Sequence, residues 1–434
     1  MRAGDFGRRA LLVVALTACA RPGPAQDPPR TGAVAHEVAA AEVGMDPILL
    51  ARIDSTVQAA LDEGASPGAA LAIGRHGRLV RLRGYGVLEP AEGAAVTPAS
   101  LYDLASLTKV VGTTTAVMLL VDDGLLSLDD RVVDHLPWWS AGDPRKNRVT
   151  LRHLLVHRAG LPAFRRWFLD REGRDAYRTA IGEVALESEP GTATVYSDIG
   201  LMTAALIVEA VSGLPLDAVI DERVFAPLGM NDTGFLPDAG EMARIAPTEV
   251  DTLWRSGLVR GRVHDENADA FGGVAGHAGL FSTAADLAVF ADLLLRGGTV
   301  PPCSAAAPEG RPCPVDRADE RRVIEAETVD LFTRRAGPES SRALGWDTPS
   351  GRSSAGDFFS ASSFGHTGFT GTSLWLDPER DLFVVLLTNR VHPTRDNTLH
   401  VPLRRAVHDL AARAVLDVPA RPRGEGAGGE GARP

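Results

Sequence analysis

The sequence predicts an α+β fold: one antiparallel sheet built from strands at both ends of the chain, flanked by helices, with a mostly helical sub-domain at about 125–300 between them. Two observations carry this. Strand patterns occur at Ala69–Ile73 with Leu79–Val87, and again at Thr372–Leu376 with Leu382–Thr388. Residues from about 125 to 300, between those pairs, read mostly as helix broken by Gly- and Pro-rich loops. A single sheet drawing on both ends satisfies that order.

In chain order, Arg2, Arg8 and Arg9 precede a short apolar stretch, Ala10 to Ala18, too short to span a bilayer. Leu16-Thr17-Ala18-Cys19 resembles a bacterial lipobox, which would make residues 1–19 an export segment and Cys19 a lipidated anchor in the cell envelope. The alternative is an ordinary signal peptide with no role for Cys19. Residues 20–40, rich in Pro, Ala and Gly, read as a flexible tether, and 41–418 as the folded domain. Pro47 to Glu63 has helical periodicity, with Ile48, Leu49, Ile53, Val57, Ala60 and Leu61 on one face. The first two strands join through Gly74-Arg75-His76-Gly77. Leu107 to Asp123 reads as a helix ended by Gly124, and Gly200 to Val211 as another. Residues 300–355 read as an irregular insertion. Leu382 to Leu387 is apolar throughout, as a central strand covered on both faces would be. A last helix at about 399–416 precedes a Gly/Arg/Glu tail, 419–434, expected to be disordered.

The chain has 434 residues, 44% hydrophobic, and a net charge of −11 from 45 basic and 56 acidic residues. The acidic excess is spread along the chain, which argues against nucleic-acid binding. Only two of the basic residues are lysines, Lys109 and Lys146. Where arginine would serve, this chain uses arginine, so Lys109 is expected to do what arginine cannot, namely lose its proton. Lys146, in the polar run Asp143 to Arg148, reads as solvated surface. Cys303 and Cys313 flank a Pro- and Ala-rich stretch; they form either a local disulfide or two free thiols.

Three short motifs carry chemistry. In Ser106-Leu107-Thr108-Lys109, residues three apart share a helix face, so the lysine can reach the serine hydroxyl and activate it. Free N–H groups at a helix start can hold an oxyanion. Tyr196-Ser197-Asp198 lies on a loop before a helix, where a tyrosine beside a lysine can share proton transfer; a packed tyrosine with Asp198 as helix cap is the plainer alternative. His366-Thr367-Gly368 precedes a strand, with small residues that leave an edge open for an extended substrate and the N–H of Phe369 as a second oxyanion donor; a simple glycine turn is the alternative.

In this order and spacing the three motifs resemble those of serine penicillin-binding proteins and class C β-lactamases. Leu154-Leu155-Val156-His157-Arg158-Ala159-Gly160-Leu161-Pro162 and Gly276-His277-Ala278-Gly279-Leu280-Phe281-Ser282-Thr283 also resemble that superfamily, and the likeness covers roughly residues 45–415. The resemblance implies an α/β sandwich of the β-lactamase/transpeptidase type and a serine hydrolase. Ser106, Lys109 and Tyr196 would be catalytic. Asp198, His366, Thr367, Gly368 and the backbone of Phe369 would bind substrate. No metal or organic cofactor is implied. The expected substrates are peptidoglycan-type peptides or small esters, cleaved through an acyl-enzyme; a true β-lactamase and a non-catalytic envelope-binding protein are the alternatives.

Two departures matter. His366 stands where the family has lysine, so a carboxylate-bearing substrate is expected to bind better at mildly acidic pH, where an imidazole gains charge. Asp198 stands where the family has asparagine; a carboxylate only accepts hydrogen bonds and favours a protonated lysine, so β-lactams are expected to be poor substrates. Elsewhere, His153 and His157, four apart, read as structural rather than as metal ligands. Val263-His264-Asp265-Glu266-Asn267-Ala268 either lines the cleft or orders its loop. Arg390, His392, Trp138-Trp139 and Trp167-Phe168 read as packing residues.

Overall fold

In a computed structural model of the chain, residues 37–300, 320–337, 340–418 and 422–423 are described. Cys19, Cys303, Cys313 and most of the 419–434 tail lie outside them. Five strands form the main sheet: β1 (Gly68–Arg75), β2 (Arg78–Gly86), β3 (Phe364–Thr367), β4 (Ser373–Asp377) and β5 (Leu382–Thr388). Their order is β3-β4-β5-β1-β2, every neighbour antiparallel, with Leu71 opposite Leu386. Strands from the two ends of the chain therefore meet at the β1–β5 seam. The central strand β5 is buried at every residue, because both sheet faces are covered.

The period of two along these strands divides the core. Ala69, Leu71, Ile73, Trp375, Val384 and Leu386 face one layer. It contains helix α1 (Pro47–Asp62) and the C-terminal helix His400–Ala414. Ala70, Ala72, Leu374, Leu376, Phe383 and Val385 face the larger layer, which includes helices α2 (Thr115–Asp122), α3 (Asp198–Ser212) and α4 (Ala284–Leu295). Asp46 caps α1, accepting from the N–H groups of Ile48 and Leu49. The buried stripe of α1 is Leu50, Ile53 and Val57; Ile48, expected on it, is exposed.

Several sequence-based expectations are corrected. Residues 37–40 are not tether: the Val38 N–H donates to Leu79 O at 2.8 Å, and Glu37 accepts from the Leu82 N–H at 2.8 Å. The irregular insertion is also smaller than 300–355. Thr299–Val300 pairs with Arg321–Arg322, and helix α5 (Ala326–Thr333) buries Val329 and Phe332 against the main core. Lys146 is fully buried, not solvated. Its Nζ donates to Ile181 O (2.6 Å) and Gly182 O (2.9 Å) and sits 4.2 Å from the centre of the Trp139 ring. Burial pushes its pKa down to about 8. The helix expected over 107–123 begins as a tight 3₁₀ turn, Ala105–Leu107, followed by a wider π-type stretch, Lys109–Thr114, before α2.

Candidate active site

Ser106 lies in the tight turn that leaves the short strand Tyr102–Asp103, which pairs with Leu280–Ser282. Ala105, just before it, has φ +47°, a left-handed conformation that costs a non-glycine residue about 1–2 kcal/mol. Asp103 supports that conformation. One carboxylate oxygen accepts from the Ala105 N–H at 2.8 Å and the other from the His264 N–H at 2.6 Å. The turn is thus tied to the 263–268 loop, which resolves that cluster: it orders the site. Asp265 caps the helix Glu266–Phe271 and accepts at 2.9 Å from the ring of His277.

Lys109 is completely buried. Its Nζ donates to Ser106 Oγ (2.7 Å) and His277 O (3.2 Å), and lies 2.8 Å from Asp198 Oδ1. An ammonium has three protons to donate, and Ser106 Oγ, His277 O and Asp198 Oδ1 stand within reach of them, with the Tyr196 hydroxyl a further neighbour. Burial works to lower its pKa, but the charge of Asp198 and the neighbouring Tyr196 outweigh it, and the net direction is upward. The amine rests protonated.

Tyr196 lies beside this group, its ring centre 4.8 Å from Lys109 Nζ. The N-cap of α3 is Ser197, which accepts from the Gly200 N–H and donates to Pro162 O. Asp198 is therefore free of capping and points its carboxylate at Lys109. Three groups surround the tyrosine ring: His157 at 4.6 Å, His366 at 5.9 Å and the Arg342 guanidinium at 5.1 Å, centre to centre. His157 is not on a helix face with His153; it has φ +57°, and its Nδ1 accepts from the Ser197 N–H at 3.0 Å.

His366, at the end of β3, is buried. Burial pushes its pKa well below the usual imidazole range, and the positive charges of Arg342 and Lys109 push the same way. That direction favours the neutral imidazole and runs against the expected acid-enhanced binding of carboxylates. Arg342 is a second cation beside Tyr196, after Lys109; its buried Nη1 has no hydrogen-bond acceptor among the described residues, and a carboxylate oxygen of Asp347 is 4.0 Å away.

Thr367 ends β3, opposite Ser373. The turn from Gly368 to Thr372 packs on the strand before Ser106: Thr370 donates to Asp103 O and Thr372 to Leu104 O. Phe369 is half-exposed on this turn, stacked between His264 and Arg390. Arg390 also donates to Phe369 O at 2.8 Å, while His392 pairs with Glu89, so both are packing residues. The fully buried Trp139, and the Trp167–Tyr177 and Phe168–Trp254 edge contacts, are packing as well.

The structure thus brings Ser106, Lys109, Tyr196, Asp198 and His366 together, with the Thr367–Phe369 turn beside them. Sequence reasoning missed Asp103, His157, Asp265, His277 and Arg342 as members. Three were inside phrases already noted: His157 in Leu154–Pro162, Asp265 in Val263–Ala268, and His277 in Gly276–Thr283. Arg342 carried no motif.

The fold and this cluster define the class, a serine hydrolase. The sequence profile described as Beta-lactamase matches residues 53–409, and the chain belongs to that family. It is 31% identical over 377 residues to an Escherichia coli (strain K12) protein named "Putative D-alanyl-D-alanine carboxypeptidase", covering 79% of this chain and 82% of that one. Among solved structures, a penicillin-binding protein homolog from Caulobacter crescentus has a TM-score of 0.66 at 22% identity, covering 86% of this chain and 99% of that one. EstCE1, described as a hydrolase with promiscuous acyltransferase activity, has a TM-score of 0.65 at 22% identity, covering 83% and 98%. These two share the fold.

Proposed function

We propose that the protein is a DD-carboxypeptidase-like or esterase-like hydrolase that works through an acyl-enzyme on Ser106. The observation that carries this reading is the 2.7 Å hydrogen bond between Ser106 Oγ and the fully buried Lys109 Nζ. Ser106 Oγ attacks the substrate carbonyl while Lys109 and Tyr196 handle its proton. The N–H groups of Ser106 and Phe369 hold the oxyanion. The leaving amine or alcohol departs protonated, and water then releases the acid. With the neutral form of His366 favoured, Arg342 supplies positive charge for a C-terminal carboxylate, its Nη1, which makes no hydrogen bond and is 4.0 Å from Asp347, being the donor that such a group would satisfy. The naming of the Escherichia coli relative favours peptidoglycan-type peptides over simple esters. We also propose that the protein is exported and lipid-anchored at Cys19, for which a diacylglyceryl-modified N-terminal peptide in the membrane fraction is the check.

The test uses the chain from residue 20 onward, incubated with a fluorophosphonate probe and separately with penicillin, then weighed by mass spectrometry. One probe adduct that is absent in Ser106→Ala supports the reading. No adduct on folded protein refutes it and favours a non-catalytic binding role. A persistent penicillin adduct with slow nitrocefin turnover is expected; rapid nitrocefin hydrolysis would instead identify a β-lactamase. With a D-Ala-D-Ala peptide, KM should stay flat from pH 5.5 to 8, and Arg342→Gln should raise KM about tenfold or more with a smaller effect on kcat.

A further inference from the structure

The resting site presents a difficulty: the group expected to take the proton of Ser106 already holds all the protons it can carry. Lys109 is protonated, buried, and bonded on three sides to Ser106 Oγ, His277 O and Asp198 Oδ1. An ammonium cannot act as a base. We propose that Asp198 is the proton store of this site, taking a proton from Lys109 so that Lys109 can take one from Ser106. The inference rests on the acyl-enzyme reading above.

The geometry provides the path. Asp198 Oδ1 lies 2.8 Å from Nζ on one side, and Ser106 Oγ lies 2.7 Å from it on another. In the first movement an Nζ–H bond breaks and an Oδ1–H bond forms, leaving a neutral amine and a neutral carboxyl. In the second, the amine lone pair takes the hydroxyl proton of Ser106 as Oγ bonds to the substrate carbon and the carbonyl pair moves to oxygen. One positive and one negative charge are present before, on Lys109 and Asp198. One of each is present after, on Lys109 and the oxyanion, with Asp198 neutral. When the tetrahedral intermediate collapses, Lys109 gives its proton to the leaving group and Asp198 returns its proton to Lys109. Deacylation repeats the sequence with water in place of Ser106, and no other reactant is needed.

The burial of Lys109 favours the first movement. Its ammonium is fully desolvated while the Asp198 side chain is 26% exposed, and moving one proton removes both charges together and relieves the buried one. Asparagine at this place could not accept the proton, so the departure from the family pattern is what creates the store.

The other ionisable neighbours do not compete with it. From the 265–277 segment, Asp265 is held as a carboxylate by His277. From the segment after α2, His157 is kept neutral by burial. From β3, His366 is neutral for the same reason. Arg342, before β3, is a fixed cation facing the tyrosine ring. Tyr196, the remaining neighbour, is separated from Asp198 by the test.

The rate of Ser106 labelling by a fluorophosphonate is measured from pH 6 to 9 for wild type, Asp198→Asn and Tyr196→Phe. Proton exchange inside the Lys109–Asp198 pair changes no net protonation, so the wild-type rate should be flat. Asp198→Asn should be roughly tenfold or more slower at pH 6.5 and should climb with pH, levelling off once Lys109, no longer held by Asp198, has lost its proton to solvent. Tyr196→Phe should be slower at every pH yet keep the flat profile. An Asp198→Asn rate equal to or above wild type at pH 6.5 overturns the proposal, since Asp198 would then only restrain the lysine. Should Asp198→Asn fail to fold, the wild-type profile decides: a climbing rate overturns the proposal and a flat one supports it. Wild type that does not label at Ser106 at all would instead defeat the acyl-enzyme reading.

Discussion

Gly368 sets how closely the turn carrying Phe369 approaches the strand before Ser106. A Cβ there would stand 2.1 Å from Thr372 Oγ1 and 2.3 Å from Leu104 O. The threonine could rotate, but the backbone carbonyl cannot move without carrying the nucleophile's turn along. Gly368→Ala is therefore expected to lower kcat/KM for any acyl substrate by about tenfold or more, because an oxyanion donor displaced by even an ångström is badly placed. Its melting temperature should fall as well; activity loss with unchanged melting would mean that Thr372 rather than the backbone yields. A comparable constraint acts at His157, which holds φ +57° while accepting the Ser197 N–H. His157→Asn keeps an acceptor and tolerates that backbone, so it should be milder than His157→Ala, which leaves a buried N–H unpaired at a cost of about 1–3 kcal/mol. Denaturant melts of the two variants test the ranking.

Among the elements, α4 begins with a carboxylate whose protonation is tied to folding. Asp286, in its first turn, accepts from the Thr233 hydroxyl and the Asp232 N–H and is nearly fully buried. Burial pushes its pKa up to about 7. A folded-state pKa above the unfolded value, near 4, means that the stabilising contribution is complete below pH ~4 and is lost as pH rises toward about 7. Asp286→Asn should therefore match wild type in thermal melts near pH 4 and become the more stable of the two by pH 8. A constant gap across that range would show that the carboxyl does not titrate with folding.

The described fold is closed at the edge where residues 37–46 meet residues 414–417. Arg75, at the end of β1, is fully buried and donates to Val43 O, Gly44 O and Arg380 O and to the carboxylate of Asp417. The Asp46 N–H donates to Ala414 O, and Val38 and Glu37 hold the edge of β2. A chain beginning at residue 37 should melt as the longer one does, whereas a chain beginning at residue 46 should lose stability measurably, since buried donors of Arg75 would lose Val43 and Gly44. Equal melting of the two would show that this closure contributes nothing.

Much of this was legible in local pattern. Ser106, Lys109, Tyr196, Asp198 and the His366–Phe369 turn stand in short motifs whose spacing survives any folding, and the β5 strand announced its burial by an unbroken apolar run. The helical periodicity of α1 was readable too, though its face was misjudged by the inclusion of Ile48. What only the tertiary structure decided depends on groups far apart in the chain. Lys146 looks solvated because its neighbours in sequence are polar, yet its partners, Ile181 and Gly182, are brought over it by folding. His366 should titrate as a free imidazole does, until burial and the charges of Arg342 and Lys109 act on it. Arg342 carries no motif at all and acquires its place only where the chain returns to the sheet beside Tyr196. Sequence alone determined which reactive groups this protein has and on which local elements they stand. Their charge states and partners were decided by the tertiary structure, because desolvation and Coulomb interaction depend on distance in space and not along the chain.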